Sequence, residues 1–189
     1  MKKALCATIL LVAVVASVPA EVGVGITAGF PPFLAMEMGS LGDLASIPSL
    51  LFWGAALRYR PSLLLIESGV SVWESGTLLC AYLNFGLSLD VWVFRLGFSG
   101  GVDVINLSVP LPGISDLTNY YAVGFDGRLS LDLKAGDFSF GLSLAIPVDM
   151  AVNIILHNGL ASGTHDFLRL FTAQAALTAT YWYGSSQRR

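Results

Sequence analysis

Charged residues are scarce in this sequence. They make up 12% of the 189 residues, where a typical globular domain carries about 25%, and Lys134 is the only lysine after position 3. Because 54% of the residues are hydrophobic, the composition favours a chain whose exterior faces lipid rather than water. The net charge of −3 does not favour a nucleic acid as partner, since such partners are usually bound by basic patches.

Beyond residue 20, long apolar runs are missing and only one cysteine occurs. The longest charge-free stretch, residues 170–187, is interrupted by Thr, Gln and Ser, whereas a membrane-spanning helix needs about 20 mostly apolar residues. Cys80 is the only cysteine after position 6, which excludes an intrachain disulfide in the processed chain and indicates a packing role. We find no metal-ligand spacing and no phosphate or nucleotide motif, so we expect neither a metal nor a cofactor.

The first 20 residues have the pattern of a secretory signal peptide. Lys2 and Lys3 precede an apolar stretch over residues 4–18, and Val18-Pro19-Ala20 fits a signal peptidase site. We therefore predict export of the chain and cleavage before Glu21. The alternative is an uncleaved N-terminal anchor helix.

The rest of the chain alternates apolar and polar residues with a period of two, which is typical of β-strands. Residues 120–133 show it most clearly, with an apolar face of Tyr121, Val123, Phe125, Leu129, Leu131 and Leu133. Seven further segments alternate in the same way: residues 22–30, 51–60, 63–73, 78–89, 91–104, 138–146 with a continuation to 154, and 167–183. The sequence thus predicts eight strands.

The connections between these segments alternate in length. Those after strands one, five and seven are long, covering residues 31–50, 105–119 and about 155–166, whereas those after strands two, four and six are tight turns. An even number of strands with short turns at one end is the plan of an outer-membrane barrel. We predict an all-β fold: an eight-stranded antiparallel up-and-down transmembrane β-barrel over residues 21–183, with a short periplasmic tail over 184–189.

The kind of polar residue distinguishes this barrel from a soluble, lipocalin-like one. The polar faces carry small residues that suit a narrow lumen: Gly54, Gly69, Ser71, Gly86, Ser88, Gly97, Ser99, Gly124, Ser130, Ser139, Gly141 and Ser143. Aromatic residues near the strand ends fit interfacial girdles: Trp53, Tyr59, Trp73, Trp92, Tyr120, Tyr121, Tyr181, Trp182 and Tyr183. We therefore expect the apolar face to point outward into lipid.

With its signal, eight strands and aromatic last strand, the chain resembles the small outer-membrane barrel group that includes OmpX, OmpW and the OmpA membrane domain. Leu177-Thr178-Ala179-Thr180-Tyr181-Trp182-Tyr183 is similar to the terminal signal that the barrel-assembly machinery reads in that group, although residues 184–189 follow it here. The resemblance implies a location in the bacterial outer membrane, with its lipid and the assembly machinery as partners. A likeness to OmpW would imply passage of small hydrophobic solutes.

Inside such a barrel, charged side chains are expected to pair, because an unpaired buried charge is costly. The candidates for ion pairs in the lumen are Arg58, Glu67, Arg95, Asp126, Arg128 and Asp132, with Glu67, Arg95 and Arg128 as the expected centre. The pairs act either as a gate or as a structural plug. Eight strands leave no wide aqueous channel, so a general porin is not expected.

The loops leave three functions open. Apolar loop residues are candidates for lining a solute entrance, or they pack over the barrel mouth: Phe33, Leu34, Met36, Leu107, Leu111 and Ile114. Acidic loop residues form a surface that binds a host ligand or cations, or they solvate the loops beside anionic lipid: Glu37, Asp43, Glu74, Asp116, Asp149 and Asp166. His157, Ser162 and His165 have the residue types of an acyl-transfer site, but the segment also reads as an ordinary turn, and we do not expect an enzyme.

Overall fold

The strands that the alternation predicts close into a β-barrel. The structure is a computed structural model that describes residues 20–32, 51–73, 77–110, 117–148 and 169–184. Their strands are β1 (Ala20–Phe30), β2 (Phe52–Pro61), β3 (Leu64–Trp73), β4 (Leu78–Val91), β5 (Phe94–Pro110), β6 (Leu117–Ala135), β7 (Phe138–Pro147) and β8 (Gln174–Tyr183). Each strand pairs antiparallel with its neighbours in sequence, and β8 pairs with β1 from Tyr183 opposite Val22 to Ala175 opposite Phe30. The predicted fold class, an antiparallel eight-stranded barrel, is confirmed.

The two ends of the barrel differ. Two-residue turns at Ser62-Leu63, Trp92-Val93 and Gly136-Asp137 join β2 to β3, β4 to β5 and β6 to β7. The first residue of each turn has a positive φ, of 62°, 56° and 67° respectively, which is the type II′ geometry that suits the twist of hairpins. We call this end the turn side and the opposite end the loop side.

Bulky apolar side chains cover the outside of the barrel, as the sequence predicts. Leu83, Phe125 and Leu177 face outward and are 47%, 65% and 65% exposed. Glu67, Asn84 and Asp132 point into the barrel and are at most 1% exposed. Among the described residues, no helix is both long and apolar enough to span a membrane.

Three details of the predicted strands are wrong. Residues 169–172 form a helical turn, and β8 begins at Gln174 rather than at Phe167. The prediction failed there because apolar residues also alternate where a helical turn packs into the barrel. The predicted long connection at 105–119 is mostly strand, since β5 and β6 pair as far as Pro110 opposite Leu117. β7 ends at Pro147, which lacks the N–H that a longer ladder needs, and residues 149–154 of the predicted continuation lie outside the described residues.

Two of the predicted girdle aromatics also lie inside the barrel. Trp73 is 2% exposed and Trp182 is 3% exposed, whereas Trp53 and Tyr183 face outward. Both buried rings share the alternation phase of inward residues on their strands, Ser71 on β3 and Thr180 on β8. The phase of a residue therefore decides its side of the wall, even at the end of a strand.

Candidate functional site

The lumen is filled by side chains in layers, and most of its charged residues lie in two clusters between the turn side and the middle of the barrel. At the turn side lies a group that we call the turn-side cluster: Glu21, Arg60, Asp90, Arg95 and Lys134. Arg60 Nη1 lies 3.0 Å from Glu21 Oε2 and 3.0 Å from Asp90 Oδ2. Arg95 binds the same two carboxylates, with N···O distances of 2.8 Å to each. Its guanidinium also stacks 4.1 Å from the centre of a Trp182 ring.

A second ionic group lies further from the turns, toward the middle of the barrel. We call it the central cluster: Arg58, Glu67, Asp126, Arg128 and Asp132. Arg58 donates from Nε to Glu67 Oε2 at 3.1 Å and from Nη1 to Asp132 Oδ2 at 3.0 Å. Arg128 lies 3.4 Å from Asp126 Oδ2 and 3.9 Å from Glu67 Oε1. All five side chains are at most 6% exposed. The cluster therefore joins β2, β3 and β6 across the lumen.

Tyr82 lies between two members of the central cluster. Its hydroxyl donates to Glu67 Oε1 at 3.0 Å, and its ring lies 3.7 Å from the guanidinium carbon of Arg128. Gly69 lies directly opposite Tyr82 and has no side chain, which leaves room for the Tyr82 ring. The ring therefore fills the space between Glu67 and Arg128.

The helical turn before β8 folds into the loop-side half of the lumen. Arg169, 1% exposed, forms an ion pair with Asp103 and donates to the carbonyl oxygen of Phe125 at 3.0 Å. A Cβ on Gly124 would stand 2.4 Å from the guanidinium of Arg169, so this glycine makes room for the arginine. We call the Arg169–Asp103 pair and the helical turn 169–172 the plug.

Around the plug, the loop-side half of the lumen is apolar. Its members, here the apolar cluster, are Phe52, Trp73, Leu78, Cys80, Ile105, Ala122 and Ala176, with Leu107 and Phe171 packed against them. Trp73 contacts Phe52 at a ring distance of 5.2 Å and Phe171, from the plug, at 5.9 Å. The lumen thus changes from ionic to apolar along its axis.

Two recesses mark the outer wall of the barrel. One, of about 290 Å³, is lined by Ala28, Gly29, Phe30, Leu51, Phe52, Trp53, Leu142, Ala175, Ala176 and Leu177. The other, of about 690 Å³, lies among outward leucines of β4 to β7 and reaches Ala175 and Ala176. The smaller recess includes Phe52 and Ala176, which belong to the apolar cluster, so small residues leave the wall thin beside it.

Comparison of the sequence with protein-family models and with curated proteins gives no match. Among solved structures, the chain is similar to the N-terminal β-barrel domain of Pseudomonas aeruginosa OprF, known from a crystal structure, with a TM-score of 0.56. The likeness covers 88% of this chain and 98% of that one at 9% sequence identity. The two share the architecture of a small closed β-barrel. At this identity the comparison concerns the fold, and the interior must be interpreted from its own residues.

The six predicted lumen residues all lie inside the barrel, but in two groups. Five of them form the central cluster, whereas Arg95 belongs to the turn-side cluster. The expected centre of Glu67, Arg95 and Arg128 is therefore wrong for Arg95, because the pairing of β4 with β5 places Asp90 directly opposite it.

Two charged residues of the lumen were missed by the sequence reasoning. Glu21 was taken as the first residue after the signal, although it has the phase of the inward Gly23 and Gly25. Arg169 falls within the predicted strand 167–183 and was not among the lumen candidates. Its place inside the plug has no local signal, because it follows from the tertiary pairing with Asp103.

Most of the loop candidates lie outside the described residues: Phe33, Leu34, Met36, Leu111 and Ile114, the acidic residues of the loops, and His157, Ser162 and His165. The predicted signal, apart from Ala20, also lies outside them. Leu107 is described and packs against the apolar cluster inside the barrel. Within the described ranges, no group of three or more His, Cys, Asp or Glu side chains has the arrangement of a metal site.

Proposed function

We propose that this chain is a bacterial outer-membrane barrel that ions and polar solutes do not cross and that admits small hydrophobic molecules to its loop-side half. Residence in the membrane is supported by the outer wall. On β4 every outward residue from Leu79 to Val91 is apolar, and this row is about 30 Å tall for strands tilted by about 40°. That height matches a lipid hydrocarbon layer.

Closure to polar solutes is supported by the two ionic clusters. Their side chains extend into the lumen from β1 to β6, and all members but Asp90 and Lys134 are almost fully buried. An ion that crossed would have to displace paired charges in a low-dielectric space, which is costly. We therefore infer that the two ionic clusters close the turn-side half and stabilise the barrel rather than forming a pore.

Uptake of hydrophobic molecules is supported by one observation above the others: the lumen and the outer wall are both apolar at the same place. Phe52 and Ala176 belong to the apolar cluster and also line the smaller recess on the lipid side. Trp73 Nε1, inside the cluster, has no hydrogen-bond partner among the described residues, so it is available to a weakly polar group of a solute. A molecule entering from the loop side would meet the ionic layers below it and could leave only through the wall into lipid.

The test is binding of a small brominated arene to the full chain refolded in lipid vesicles. Bromine quenches tryptophan fluorescence, so we expect a saturable component of quenching that is absent in Trp73→Phe. Ala176→Leu, which fills the apolar cluster, should abolish the same component. Ala55→Leu, a matched change on the lipid face, should leave it intact. Quenching that rises only linearly with the probe, as partition into lipid produces, would contradict the proposal.

A further inference from the structure

The middle of the lumen holds polar atoms that no protein group satisfies. Asn84 is 0% exposed, and neither its Oδ1 nor its Nδ2 has a hydrogen-bond partner. Asp126 Oδ1 and Asp103 Oδ2 are also buried without a partner, although the second oxygen of each carboxylate is bound by an arginine. Leaving a buried polar atom unpaired costs about 1–3 kcal/mol, so three acceptor oxygens in one region of the lumen point to a ligand.

The strand register brings these oxygens together. Gly101 on β5 lies directly opposite Asn84 on β4 and directly opposite Asp126 on β6. Asp103 is two residues further along β5, on the same inward face. Because side chains that point inward from neighbouring strands of a narrow barrel converge toward its axis, these three side chains point into the same part of the lumen.

Gly101 keeps that space open. A Cβ at this position would stand 2.0 Å from the carbonyl oxygen of Leu83 and 2.6 Å from Asn84 Oδ1, so the amide oxygen of Asn84 lies against the glycine. A side chain here would displace that oxygen.

The charge balance indicates what the ligand is. The central cluster contains three carboxylates, Glu67, Asp126 and Asp132, but two guanidiniums, and all of them are buried. Asp103 is balanced by Arg169 and adds no further charge. The compensating positive excess lies in the turn-side cluster, where Lys134 and Asp90 are partly exposed and solvated.

Because the compensating charge lies in another cluster, the central cluster keeps one buried negative charge in excess. Such a local excess is unfavourable, so a cation fits this place better than a neutral molecule. We propose that Asn84 Oδ1, Asp126 Oδ1 and Asp103 Oδ2 bind one small monovalent cation of the Na⁺ class in the centre of the barrel. Oxygen ligands suit such a hard cation. A single positive charge neutralises the central cluster, whereas a divalent ion would reverse its sign. The unpaired donors nearby, Asn84 Nδ2 and Arg128 Nε, are then bound by water outside the site.

The proposal is tested on the full chain refolded in non-ionic detergent. Na⁺ replaces tetramethylammonium at constant chloride concentration and ionic strength, so that general screening does not change. We expect the thermal unfolding midpoint to rise saturably by several degrees, and equilibrium dialysis with ²²Na⁺ to show about one ion retained per chain. Tetramethylammonium is too large for a space kept open by one glycine.

Variants separate a bound ion from other effects of salt. Asn84→Leu and Asp126→Asn each remove one ligand oxygen, and both should lose the shift and the retained ²²Na⁺. Asp90→Asn removes a carboxylate that is also paired with arginine, but in the turn-side cluster, and should keep both. A midpoint independent of Na⁺ in the unmodified chain, or a shift of equal size in Asp126→Asn, would overturn the proposal. Loss of the shift in Asp90→Asn would do so as well, because the ion would then act elsewhere.

Discussion

Arg58 is the residue on which the central cluster depends most. It is 2% exposed and supplies the guanidinium for Glu67 and Asp132. In Arg58→Met, Asp132 would keep only the hydroxyl of Thr178, at 3.2 Å, as a partner. Removing one member of a buried ion pair costs about 3–5 kcal/mol, because the other charge stays buried. We expect Arg58→Met to lower the free energy of unfolding by this amount.

Arg60→Met is the matched comparison in the turn-side cluster. Glu21 and Asp90 would each keep Arg95 at 2.8 Å, so the loss should be that of hydrogen bonds alone, about 1–2 kcal/mol. Urea unfolding in phospholipid vesicles, followed by tryptophan fluorescence, measures both variants. Adding Asp132→Asn to Arg58→Met should recover part of the stability. If Arg60→Met costs as much as Arg58→Met, or the added change recovers nothing, the described pairing does not determine stability.

Three further changes test other parts of the barrel in the same unfolding assay. Gly124→Val should cost about 2–4 kcal/mol by displacing Arg169 from the plug; Gly127→Val, which meets nothing within 4 Å, should be close to neutral, and equal costs would refute the fit. Ser62→Gly should raise stability by about 0.5–1 kcal/mol, since it relieves a φ of 62°; a loss would argue against strain at this turn. Leu83→Arg should cost about 2–4 kcal/mol if this residue faces the middle of the lipid layer, and an unchanged unfolding curve would place it elsewhere.

The fold was predictable because the period of two is a local property of the sequence. Alternation placed β2 and β3 within about one residue of their observed bounds, and the phase alone separated Leu83 from Asn84 across the wall. The same rule, applied strictly, also places Trp73 and Trp182 inside. The error there came from giving the position of an aromatic residue at a strand end more weight than its phase.

The interior was less predictable, because its contacts depend on the register between strands. Phase alone shows that Arg58, Arg95 and Glu67 point inward, but not which of them meet. The turn between β4 and β5 places Asp90 opposite Arg95, and the pairing of β2 with β3 places Glu67 opposite Arg58. The plug could not be predicted from the sequence for a similar reason. Arg169 and Asp103 are 66 residues apart and meet only in the folded barrel.

The orientation of the wall is tested most directly by two single-tryptophan proteins in vesicles that contain phospholipid brominated in mid-chain. One keeps only Trp53, which is 63% exposed on the outer face, and the other keeps only Trp73, which is 2% exposed inside; the other tryptophans are replaced by Phe. The structure predicts strong quenching of Trp53 and little quenching of Trp73. Equal quenching of the two, stronger quenching of Trp73, or a folded chain that stays in water without inserting would contradict a barrel with its apolar side chains in lipid.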